Sequence, residues 1–310
     1  MPGAISPGMT PSAAGRRRPW STTRPRTPSP SPSPAGAAPS WTGRTSASST
    51  GPGGAEATPL TCQTHPRFTE DYGPFAERAL SAACPAASTL LLGSREPLGF
   101  RESETGEPGE EGDAWLPYLV PFRRRLFEAL RDRSRPLRAR LADFLTLCLL
   151  GDAVLAEAER EGAAPEGLLT LEGGTLEGTL PEKGIFPAGF RLLASLEVLE
   201  PDWRDVLREA ETAAPVPQDE ALLERIATYF AYRSVLKCVN DGDLLGRGLY
   251  TVFLTLAAER IAAVRGLGEA LRRLSREVEH DADNVEALLT AFREDGAFDV
   301  GCFLWELRNS

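Results

Sequence analysis

Histidine and lysine are nearly missing: in 310 residues the only imidazoles are His65 and His280 and the only lysines Lys183 and Lys237. Glu277 and His280 have the i, i+3 spacing of half a bundle di-iron site, but that centre needs a second such motif, and one further histidine does not supply it. Long apolar runs are missing too. The uncharged stretch between Arg78 and Arg95 is interrupted by Pro85 and carries several Ser and Ala, so it is too short and broken to cross a bilayer. No membrane partner is expected. Residues 1–15 hold Met, Pro, Gly, Ser, Thr, Ala and one Ile before Arg16, which is not a signal peptide, and the expected compartment is the cytoplasm. Cysteine occurs five times, at 62, 84, 148, 238 and 302, an odd and scattered set that makes no disulfide framework and fits a reducing compartment.

Several motifs are absent as well. No Gly-rich strand-to-helix turn opens a dinucleotide domain: Gly246-Arg-Gly248 follows a helical pattern, and position 251 is Thr where that fingerprint needs a glycine. There is no Walker A loop, and no Gly-x-Ser-x-Gly elbow to make a serine hydrolase of the usual kind. Net charge is −10. Residues 1–57 carry six Arg and one acid, which leaves 28 bases against 43 acids, a net of −15, on the rest. Such a body repels phosphate backbones, so no nucleic-acid partner is expected, and it favours basic or neutral ones.

What is present is mostly helical. Residues 1–57 are Pro, Ser, Thr, Gly, Ala and Arg, with alternating Ser and Pro at 29–34, and are expected to be a disordered low-complexity tail. A short cysteine-bearing segment at 58–95 follows, then an acidic linker over 96–113, in which Glu102 to Asp113 alone holds six acids, three Gly and one Pro. From 114 to 310 apolar residues recur at spacings of three and four. Helices are expected from Trp115, from Pro136 to about Glu161, and at about 187–198, 201–213, 218–239, 243–265, 267–280, 283–294 and 298–307, with Asp202, Asp219 and Asp241 at helix starts. Residues 167–184 read as a loop or weak hairpin, the one place outside the helices where strand alternation survives. The fold class expected is mainly α, an irregular helical bundle preceded by the cysteine-bearing segment and the tail.

Taken on its own chemistry the chain offers few sites. Cys62, His65 and Cys84 are three zinc-type ligands where four are usual, and too few thiolates for an iron–sulfur cluster. Cys148 and Cys238 sit at apolar helical positions. Ser275 to Asp281 forms either a polar helix face, with Leu267, Leu271, Leu274 and Val278 as the buried stripe, or one wall of a polar cleft.

Three ordered blocks resemble a known family. They are Cys62-Gln-Thr-His-Pro-Arg67-Phe with Glu77-Arg-Ala-Leu-Ser81 and Ala83-Cys-Pro-Ala-Ala; Leu130-Arg-Asp-Arg-Ser-Arg-Pro-Leu-Arg-Ala-Arg-Leu141; and Tyr229-Phe-Ala-Tyr-Arg233 with Asp241-Gly-Asp-Leu-Leu245 and Leu274-Ser-Arg-Glu-Val-Glu-His-Asp-Ala-Asp-Asn284. Together they resemble the bacterial flagellin lysine-N-methylase family. The resemblance implies a protein-lysine N-methyltransferase on a fold without the usual methyltransferase sheet. It also implies an iron–sulfur site with Cys62 and Cys84 as metal ligands, S-adenosylmethionine as methyl donor, and flagellin or another lysine-bearing protein as substrate. Arg276, Glu277, Glu279 and His280 are the implied catalytic residues. The chain departs from the family at His65, where the family has an aromatic, and upstream of Cys62, where the family's Cys-rich segment is replaced by residues 1–57. That start reads as frameshifted or misassigned. The alternative implied is a catalytically inactive helical substrate-binding or scaffold remnant of the family.

Overall fold

The computed structural model describes residues 64–104, 106, 109–173 and 181–309; the tail at 1–57 and Cys62 lie outside them. Among the described residues are ten helices and one two-stranded sheet, a mainly α fold. The helices are α1 (Pro85–Leu92), α2 (Leu116–Arg131), α3 (Leu137–Glu161), α4 (Phe186–Ser195), α5 (Trp203–Thr212), α6 (Glu220–Ser234), α7 (Leu244–Arg265), α8 (Leu267–Leu274), α9 (Ala282–Glu294) and α10 (Val300–Asn309). None is long and apolar enough to cross a membrane.

The bundle is organised around α7. Leu249, Tyr250, Val252, Phe253, Leu254, Leu256, Ala257, Ala258 and Ile261 are all buried, and a helix apolar on every side belongs inside a core. It is touched by α3, α5, α6, α8, α9 and α10. Its start answers the Gly-x-Gly question raised by the sequence. Asp243, not Asp241, caps the helix, its carboxylate accepting the Gly246 N–H at 2.9 Å. A Cβ at Gly248 would stand 2.7 Å from the Cys148 Cβ on α3, so this glycine serves close helix packing rather than a phosphate. Asp219 caps α6 as expected, accepting from the Ala221 N–H. Asp202 makes no cap bond and pairs with Arg273 instead.

The sequence pattern missed the sheet. Strands β1 (Arg67–Asp71) and β2 (Ala76–Leu80) form an antiparallel hairpin that pairs Phe68 with Ala79 and Glu70 with Glu77. Facing carboxylates on neighbouring strands repel. Here each has its own cation: Lys237 meets Glu70 at 2.5 Å, and Arg123 of α2 grips Glu77 with two hydrogen bonds. Arg123 also lies over the Tyr232 ring, 5.3 Å from its centroid. These contacts fasten the hairpin to the bundle. The stretch at 96–102 packs as well: Phe100 stacks on Phe127 and Tyr232, and the Leu98 carbonyl accepts from Arg131.

The block at 130–141 is built into the scaffold. Arg133 and Arg140 both bond Glu224, a fully buried carboxylate on α6, at 2.6–2.9 Å, and Arg140 also donates to the Leu130 carbonyl. The α2–α3 turn is thereby locked onto α6.

Candidate functional site

The chain runs from β2 through Ser81 and Ala82 into α1, and this turn lies against α6 and the end of α8. There the helix departs from its expected form. After Leu274 it widens into a single π turn, Ser275–Glu279, before Asp281 caps α9 by accepting the N–H groups of Asp283 and Asn284. Such π turns are rare and concentrate at functional sites. The widened turn sends its side chains three ways: Ser275, Glu277 and Val278 are buried, Arg276 is exposed, and Glu279 and His280 reach toward the hairpin.

Glu279 is the centre of the cluster. Its side chain is only 4% exposed and takes three donors: Tyr229 Oη at 2.9 Å, Arg233 Nε at 3.1 Å and Ser275 Oγ at 2.5 Å. Tyr229 Oη in turn accepts the Ala82 N–H at 3.0 Å. Burial, and then the Glu279 charge, push the Tyr229 phenol far up, so it stays protonated and donates to the carboxylate. Burial works against the Arg233 charge, but Glu279 and the neighbouring tyrosines outweigh it and the guanidinium is held more firmly protonated. Its other face lies on the Phe68 ring, 3.2 Å from the centroid.

His280 stands at the edge. Its Nε2 is 3.0 Å from Ser81 Oγ, which is also 3.4 Å from Ser275 Oγ, and its ring is 5.9 Å from that of His65. Burial lowers its pKa; Glu279 pulls the other way, and His65, Arg233 and Arg276 add to the lowering. A lowered pKa favours the neutral imidazole, and the residue is exposed to a partner.

The other expected residues lie elsewhere. Glu277 is buried and turned away, accepting the N–H groups of Leu199 at 2.7 Å and Glu200 at 2.9 Å ahead of α5. Arg276 pairs with Glu200 at 3.0 Å with its side chain 45% exposed, and takes no part in the Glu279 network. Cys84 precedes α1 as a half-buried free thiol. Cys148 and Cys238 are core residues whose thiols burial pushes up, which disfavours the thiolate a metal needs. Among the described residues no group of three or more His, Cys, Asp or Glu is arranged to hold a metal. The thiols described do not fit an iron–sulfur cluster.

Ser81, Tyr229 and Arg233 stand within the resembling blocks but not among the expected site residues. Their positions at the end of a strand and four residues apart on one helix give no local sign that they meet. Beside the cluster a concavity of about 420 Å³ shares Ala82 and Tyr229 with it. Among the described residues its charged lining is Arg78, Arg101 and Arg225 with no carboxylate, the wrong sign for the sulfonium and ammonium of S-adenosylmethionine.

No family profile, no curated protein and no solved structure matches this chain.

Proposed function

We propose that the chain is a protein-lysine N-methyltransferase of the flagellin lysine-N-methylase type, and that the cluster around Glu279 and His280 serves the lysine side of the reaction. The observation that carries this reading is the meeting of Ser81, Tyr229, Arg233, Ser275, Glu279 and His280, drawn from the first and third of the resembling blocks, in one polar cluster ending on a neutral imidazole. A lysine ammonium must lose a proton before its nitrogen can displace the thioether of a sulfonium methyl donor and take its methyl group. His280 accepts that proton. Ser81 and the buried Glu279 network hold the imidazole in place, and the acidic body draws a lysine-bearing surface toward it. No step is assigned to an iron–sulfur cluster or to the methyl donor, because the described residues fit neither.

A second reading, a binding or scaffold protein without the chemistry, is favoured by the core placement of Cys148 and Cys238. One experiment separates the two. Full-length chain is incubated with flagellin and S-adenosylmethionine, and methylated lysines are counted by mass spectrometry beside a binding measurement. Modification that disappears in His280→Ala supports the enzyme, binding without modification supports the scaffold, and neither binding nor modification overturns both.

A further inference from the structure

The concavity beside the cluster has a character of its own. It is framed by the end of β2, α1, the stretch at 98–101 and α6. Three of the protein's exposed large apolar side chains line it: Leu90 at 68%, Phe100 at 44% and Leu80 at 39% exposure. In a chain of net charge −10, its charged lining among the described residues is three arginines. Arg225 is buried at the pocket wall and donates to two neutral partners, the Leu91 carbonyl at 2.5 Å and the Glu96 carbonyl. The adjacent Glu224 is already engaged by Arg133 and Arg140. Burial holds the Arg225 guanidinium below the usual arginine range, Glu224 opposing it, and an anion in the pocket would relieve that cost. The volume lies within the ordinary range for small-ligand sites.

We propose that this pocket binds a small amphipathic anion, an aliphatic carboxylate whose head pairs with Arg78, Arg101 and Arg225 and whose chain lies along Leu80, Leu90 and Phe100. The charge decides the sign of the ligand. The stacking of Phe100 on Phe127 and Tyr232 decides its shape, since that ring is already engaged while the leucines offer undirected apolar surface. The proposal does not depend on methyl transfer, and its test reads binding alone.

Decanoate is titrated into the full-length chain by calorimetry, with decyltrimethylammonium and acetate as controls for charge and for the aliphatic chain. One decanoate is expected to bind per protein, with both controls at least about tenfold weaker. Leu90→Asp should weaken decanoate about tenfold or more, as should the double change Arg78→Ala with Arg101→Ala. All three positions are exposed, so the circular-dichroism melt should match the parent. Equal binding of the ammonium control, several decanoates bound without regard to these substitutions, or no decanoate binding would each overturn the proposal. So would binding only to vesicles of anionic lipid, because the site would then be a membrane-facing surface rather than a pocket for a free acid.

Discussion

Two neighbouring residues of the π turn, Arg276 and Glu279, are predicted to behave in opposite ways when changed to alanine. Arg276 forms a half-exposed pair with Glu200, and exposed pairs contribute little. Arg276→Ala should change unfolding free energy by no more than about 0.5 kcal/mol. Glu279→Ala removes the partner of a largely buried guanidinium along with the acceptor of two hydroxyls, and should cost about 3 kcal/mol. Urea denaturation of both variants decides it; comparable small losses would mean that the Glu279 network is solvated. The sequence left this segment as a polar helix face or one wall of a polar cleft. That Glu277 faces the opposite way was not visible there, because a π turn is a matter of i to i+5 hydrogen bonds that residue identity does not announce.

Element boundaries follow the caps. Asp281→Ala leaves the first N–H groups of α9 without their acceptor and should cost about 1 kcal/mol. Gly248→Ala pushes a methyl into Cys148 and should cost about 1–3 kcal/mol through overpacking between α7 and α3. Thermal melts measure both; a neutral Gly248→Ala would show that the two helices separate freely. The helices were legible in the sequence because their buried residues are apolar at the helical period; of the three acids expected at helix starts, Asp219 caps its helix, while Asp202 makes no cap bond and Asp243 caps in place of Asp241. The hairpin was not legible for a specific reason. Its inward positions are Phe68, Glu70, Glu77 and Ala79, and half of those are carboxylates whose cations, Lys237 and Arg123, come from distant helices. A pattern of apolar alternation has nothing to detect there.

For the molecule as a whole, strongly negative charge on the part beyond residue 57 predicts that association with a lysine-bearing protein weakens as salt is raised, since screening shortens the reach of exposed charge. Association rates to flagellin, measured by stopped flow across ionic strengths, should fall; salt-independent rates would point to an apolar contact instead. The helical body, the acidic surface and the segment around His280 could be read from the sequence. The convergence of Ser81, Tyr229 and His280 needed the fold, because Ser81 and His280 are 199 positions apart. The central claim is that His280 is a neutral proton acceptor placed to meet a lysine. With only two histidines in the chain, its ring signals can be followed by NMR through a pH titration, with and without flagellin. Because the fold lowers its pKa, the neutral ring stabilises the protein above the ordinary value of 6.5, and that stability is lost as pH falls through the lower folded value. The prediction is a His280 midpoint below 6.5 and ring signals that shift when flagellin is added. A midpoint at or above 6.5 with signals that flagellin leaves unmoved would contradict it.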